Sequence, residues 1–127
     1  MDKRALHNKA KELAQDHTKL REDQRFKKVL GFFVAKGLLF TKAVEPQPTV
    51  KLDVADVLWV GEHIEPRVFE VLPAALLHFP KTFLHQEKLS DEFVGIIERI
   101  KKDVKEGPDF QGISYLKMRH WARKRLF

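Results

Sequence analysis

Apolar side chains recur at three- and four-residue intervals along most of the chain, the spacing of helices that bury one face. The most apolar stretch spans residues 52–80 and holds one of the two tryptophans. It predicts two or three short helices with a break at Pro66, and Asp53 is expected to cap the first. Pro73 is expected to kink the next helix or to begin another, and Pro80 to end it. We expect this stretch to form the core.

The N-terminal forty residues predict a helical hairpin. Residues 3–22 carry one narrow apolar stripe, as expected of a peripheral helix, and residues 23–40 carry a wide apolar face. Asp23 is expected to cap the second helix, Gly31 to permit close packing and Gly37 to mark the helix end. A helix-turn-helix reader exposes polar side chains on its second helix. This second helix is too apolar for that role, so we assign it to the core.

The rest of the chain adds a connector and two further helices. Residues 41–51 contain two prolines and predict an extended connector. The segment after Pro80 is expected to be a loop or short turn, and the apolar run near residue 52 is too short to predict a strand. Ser90 is expected to cap an amphipathic helix that stops at Gly107.

Together these patterns predict an all-α fold, a compact bundle of about five to six helices. We expect a single helical domain over residues 1–127. Its parts are the hairpin of residues 1–40, the proline-containing connector near residues 41–51, and a helical core over residues 52–127 that ends in a basic helix.

Composition narrows the class of protein. The 127 residues are 43% hydrophobic and 33% charged, which is typical of a globular chain. The absence of cysteine excludes disulfides, thiolate metal sites and a cysteine nucleophile. The N-terminus has no apolar leader and no stretch is long enough to cross a membrane, so we expect a cytoplasmic protein with no membrane partner.

Charge is distributed unevenly along the chain. Residues 1–36 contain ten basic and five acidic residues. Residues 37–112 contain nine basic and thirteen acidic residues, and residues 113–127 contain five basic residues and no acidic residue. The net charges are therefore +5, −4 and +5, in a total of +6. Basic ends indicate contact with a polyanion, or packing of the ends on the acidic middle. Solvated helix faces are the plain alternative.

The last predicted helix, residues 114–127, carries the most distinctive surface. On a helical wheel one side is apolar, the opposite side is basic, and Trp121 lies at the border. The apolar side consists of Tyr115, Met118, Ala122 and Leu126. The candidate nucleic-acid-binding residues are Lys117, His120, Arg123 and Lys124 on the basic side and Arg119 and Arg125 on its flanks. We expect this helix to dock by one side and to display an unbroken basic side.

Catalytic and metal-binding patterns are weak. Glu62, His63 and Glu65 lie close together, but these residues, His78 and His85 lack metal-ligand spacing. His63 and Glu65 could form an acid–base pair, yet no nucleophile accompanies them. There is no glycine-rich phosphate loop and no nucleophile elbow. We therefore predict no enzyme, no catalytic or metal-ligating residue and no cofactor, and expect Glu65 to cap or pair locally with Arg67.

Two functions remain open. The first is a nucleic-acid-associated protein, a DNA-binding regulator whose basic terminal helices contact phosphates by shape and charge, since no base-reading motif is present. The second is a protein-interaction module such as a bacterial antitoxin, an inhibitor or a complex subunit, with an acidic protein partner or a second copy in a homodimer. Its anchors would be three aromatic residues expected to be exposed: Trp59, Trp121 and Phe127.

Overall fold

The computed structural model describes residues 22–124, which form a mostly helical arrangement with one very small sheet. In chain order the elements are α1 (Gln24–Ala35), β1 (Leu52–Asp53), α2 (Val54–His63), α3 (Val68–His78), β2 (Phe83–Leu84), α4 (Asp91–Lys101) and α5 (Tyr115–Arg123). Two 3₁₀ turns, Pro80–Thr82 and Gln86–Lys88, flank β2. The predicted all-α class is confirmed. The helix predicted over residues 3–22 lies outside the described residues.

The helix starts follow the capping chemistry of the sequence. Asp23 and Asp53 each accept a hydrogen bond from a backbone N–H two residues later, at 2.8 Å. Ser90 accepts a bond from the N–H of Phe93, three residues later, and Ser114 from that of Leu116, two residues later, each at 3.2 Å. Each bond satisfies an N–H group that has no partner inside the helix. The three predicted caps, Asp23, Asp53 and Ser90, are therefore confirmed.

Helix α3 lies at the centre of the core. Eight of its eleven residues are buried, and its most extensive packing is against α5. Pro73 lies inside α3, which continues to His78, so this proline does not begin a new helix. Helix α4 contacts both α3 and α5, while α1 packs on α2.

Two glycines let elements approach closely. The predicted close packing at Gly31 is confirmed: its carbonyl accepts a bond from the backbone N–H of Gln47 at 2.9 Å, and an added Cβ would lie 2.6 Å from the carbonyl oxygen of Glu45. A Cβ at Gly61 would lie 2.8 Å from the ring of Phe69. The connector therefore packs on α1, and α2 packs tightly on α3.

The short sheet was not predicted. Strands β1 and β2 pair in parallel, with Leu52 opposite Phe83 and Asp53 opposite Leu84. The segment after Pro80 is therefore more ordered than the predicted loop or turn. Two-residue strands are too short to show an alternating pattern, and their pairing depends on contacts between distant residues. The pairing is held by the burial of Leu52 and Phe83 and places Asp53 beside His85.

Candidate nucleic-acid interface

Helix α5 has the two-sided character that its sequence predicts. Tyr115, Met118 and Ala122 are buried against the core. Lys117 and His120 are exposed on the opposite side, and Trp121 is half-buried at the border. The predicted division of the wheel is therefore confirmed for the described part of the helix.

The helix is shorter than predicted. Within the described residues it ends at Arg123, and Lys124 has an extended backbone with φ −70° and ψ 146°. The side chain of Lys124 turns back, so that its Nζ lies 4.2 Å from the centre of the Trp121 ring. Arg125, the sixth predicted binding residue, and Leu126 and Phe127 lie outside the described residues.

The basic side of α5 is not unbroken, because Asp103 pairs with two of its arginines. Arg119 Nη2 and Arg123 Nη1 each donate to Asp103 Oδ1 at 2.7 Å. The hydrogen bond from Arg119, with the charges of Arg123 and Lys105, lowers the pKa of the Asp103 carboxyl group from its ordinary value. Lys117, His120 and Lys124 remain available on the exposed side.

The loop that carries Asp103 is tied to the fold. The backbone N–H of Asp103 donates to Ile100 at 3.0 Å, and that of Val104 donates to Arg99 at 2.9 Å. The hydroxyl group of Tyr115 donates to the Val104 carbonyl oxygen. Asp103 itself has a left-handed backbone, with φ 61°. The carboxylate is therefore presented to α5 by a fixed turn at the end of α4.

Lysines at the end of α4 extend the positive charge. Lys101, Lys102 and Lys105 are exposed. Lys105 lies beyond the end of α4, and its charge contributes to lowering the pKa of the Asp103 carboxyl group. The α5 basic surface is defined here by Lys105, Lys117, Arg119, His120, Arg123 and Lys124. Only the fold shows that Lys105 belongs with α5.

His63 and Glu65, the candidate acid–base residues, each form a hydrogen bond with another residue. The Glu65 carboxylate accepts hydrogen bonds from Arg67 Nε and Arg67 Nη2, each at 3.0 Å, which confirms the predicted local pair. His63 Nδ1 lies 2.9 Å from the carbonyl oxygen of Trp59, its own neighbour one helical turn back. In these contacts His63 Nδ1 pairs with the backbone of α2, and Glu65 pairs with the guanidinium group of Arg67.

Trp59 and Trp121, two of the three predicted aromatic anchors, are less exposed than expected. Trp59 is half-buried, and the guanidinium group of Arg25 lies 3.5 Å from the centre of its ring. Arg25 in turn forms a bidentate pair with Asp23 at 3.0 and 2.9 Å. The pair with Asp23 fixes the guanidinium group of Arg25 over the Trp59 ring. The contact between this guanidinium group and Trp59 joins α1 to α2. Trp59 is therefore part of a structural contact.

The described residues also bear on metal binding and on membrane insertion. Residues 22–124 contain no group of three or more His, Cys, Asp or Glu that could hold a metal ion. No helix in this range is both long and apolar enough to span a bilayer. No protein-family model, curated protein or solved structure matches the chain.

Proposed function

We propose that this protein is nucleic-acid-associated, a DNA-binding regulator that contacts phosphate groups through the α5 basic surface. The observation that carries the proposal is a cationic helix side on a firmly packed scaffold. Helix α5 contains no acidic residue, and its apolar side is buried against α3. The backbone positions that carry its cations are therefore fixed relative to the core.

Binding of this kind gains its free energy from counterion release. Each Lys or Arg that neutralises a phosphate displaces condensed cations, so affinity falls steeply as the salt concentration rises. Lys117 and Lys124 supply point charges, while Arg119 and Arg123 offer planar forks that match phosphate oxygens. None of these side chains forms a recognisable base-reading pattern, so the proposed contact follows the shape and charge of the backbone.

The proposal is tested by fluorescence anisotropy with labelled duplex DNA, single-stranded DNA and duplex RNA, at low and physiological salt. The test variant combines Lys117→Glu and Lys124→Glu. The matched control combines Lys28→Glu and Lys42→Glu, which changes the net charge equally at exposed positions of α1 and the connector. We expect salt-sensitive binding by the wild type and the control, and a large loss of affinity in the α5 variant.

The two lysines are better probes than the neighbouring arginines. Reversing the charge of Arg119 or Arg123 would place two acidic groups beside each other at Asp103 and would perturb the loop as well as binding. Lys117 forms no salt bridge with the acidic residues of the range 22–124, and the Nζ of Lys124 lies over the Trp121 ring, away from Asp103 Oδ1 and its two arginine donors. Absence of binding at low salt, or equal losses in test and control variants, would contradict the proposal.

A protein-interaction module is the second candidate, and Phe40 is the observation that favours it. This ring is 79% exposed, beside the half-buried Val34, at the start of the connector. Large exposed aromatic rings are typical anchors of protein interfaces. If a second copy covers Phe40, light scattering will show a dimer that Phe40→Ser converts to a monomer. A wild-type monomer at all concentrations would exclude this homodimer.

A further inference from the structure

The Asp103 carboxylate accepts only some of the hydrogen bonds that Arg119 and Arg123 can donate. Both guanidinium groups donate to the same oxygen, Oδ1, although they lie one helical turn apart on α5. Arg119 uses Nη2 alone, and its Nε is buried with no hydrogen-bond partner among residues 22–124. Of these two donors of Arg119, Nη2 is paired with Asp103, while Nε is unpaired and closed to solvent within the described residues.

The other two arginine–carboxylate pairs in the described chain behave differently. Arg25 donates through both Nε and Nη2 to the two oxygens of Asp23. Arg67 does the same with Glu65. Side-on bidentate pairing is thus the usual arrangement in this fold, and the Arg119–Asp103 pair departs from it.

The positive charge around the Asp103 carboxylate also exceeds its single negative charge. Arg119, Arg123 and Lys105 surround one carboxylate, and Asp103 is itself 52% exposed. A phosphate group has oxygens in more than one direction, so it can accept from Arg119 Nη2 and from Arg123 Nη1 at the same time, with a separate oxygen for each. Such a group therefore matches the two donors that now share the single oxygen Oδ1 of Asp103.

We propose that the Asp103 carboxylate occupies the position of a phosphate group between Arg119 and Arg123, and that it competes with the nucleic-acid backbone for these two arginines. This role rests on the function proposed above. Asp103 then sets the affinity of the α5 basic surface. Its fixed left-handed turn keeps the carboxylate in reach of the arginines when no nucleic acid is bound.

Asp103→Asn removes the negative charge and keeps the size of the side chain. We expect it to bind labelled single-stranded or duplex DNA about eightfold more tightly at about 0.1 M salt, because one further neutralised phosphate steepens the salt dependence by about 0.9. Glu62→Gln is the matched control, since it changes the net charge equally at an exposed position on α2. Asp103→Gly is a second test variant, because glycine suits the left-handed backbone.

The outcomes separate this inference from the proposed function. If Asp103→Asn and Asp103→Gly bind no more tightly than Glu62→Gln, Asp103 is a structural partner only and the competition is overturned, even where the wild type binds. Weaker binding with a lower melting temperature overturns it equally. Tighter binding by both Asp103 variants than by the wild type and Glu62→Gln supports it. If no variant binds at low salt, the inference and the proposed function both fail.

Discussion

The imidazole Nε2 of His78 lies 2.8 Å from the carbonyl oxygen of Ala122, which is 44 positions later in the chain. A carbonyl oxygen only accepts, so Nε2 is the donor. The bond joins the last residue of α3 to the final turn of α5, where backbone carbonyls have no partner inside the helix. Helix α3 thus supplies a cap for the helix that carries the α5 basic surface.

Replacing His78 with alanine removes this cap. We expect His78→Ala to lower the free energy of unfolding by about 1 kcal/mol, the usual net value of a hydrogen bond that solvent can replace. Chemical denaturation measures the loss, and hydrogen exchange should quicken in the last turn of α5. His120→Ala is the control, because this imidazole lies on the exposed side of α5. Equal midpoints for His78→Ala and the wild type would show that the cap has no energetic role.

The glycines offer a matched pair of substitutions. Gly61→Ala places a Cβ about 2.8 Å from the Phe69 ring, so we expect overpacking to cost about 1–3 kcal/mol. Gly95→Ala meets no atom within 4 Å and lies inside α4. There we expect a gain of about 0.5–1 kcal/mol, since alanine is the better helix former. Thermal melts of both variants test the packing, and a stable Gly61→Ala protein would contradict the tight contact between α2 and α3.

Asp53 should make stability depend on pH in acid. The backbone N–H of Ala55, then His85 and Lys88, lower the pKa of its carboxyl group below the ordinary value of 3.8. A carboxyl group of this kind stabilises the fold fully above its unfolded pKa, and the contribution is lost as the pH falls through its folded pKa. Stability should therefore decline below about pH 4. Asn also caps helices well, so Asp53→Asn should show a shallower decline in urea titrations at several pH values. An unchanged slope would contradict this account.

Tyr115 holds the loop that presents Asp103. Its ring is buried, and its hydroxyl group donates to the carbonyl oxygen of Val104. We expect Tyr115→Phe to cost about 1–2 kcal/mol, because the carbonyl is left without this partner. Backbone amide exchange over residues 102–106 should also quicken. Protection equal to the wild type over those residues would show that the hydroxyl group does not fix the loop.

Local chemistry made much of this fold predictable. Asp23, Asp53 and Ser90 cap helices where the sequence places them, and Gly37 follows α1 with φ 73°, a conformation that glycine adopts without strain. The apolar side of α5 followed from periodicity alone. Each of these features depends on residues within one or two helical turns, which is the range that a sequence pattern reports.

The pairs of Asp103 and the short sheet, which the sequence did not predict, join distant parts of the chain. Asp103 reaches Arg119 and Arg123 across 16 and 20 positions, and the β1–β2 pairing joins Leu52 to Phe83. A helical wheel shows where a basic residue points, but not which acidic loop packs beside it. The basic residues on α5 itself could therefore be predicted from the sequence, whereas the pairing of its arginines with Asp103 and the nearby position of Lys105 could not.

The most direct test of the α5 basic surface is an NMR titration of the isotope-labelled protein with single-stranded and duplex DNA at low salt. Contact through this surface predicts that the largest amide shifts cluster at residues 115–124 and 102–105, and that they disappear as salt is added. Shifts confined to α1 and the connector, or none at low salt, would contradict it.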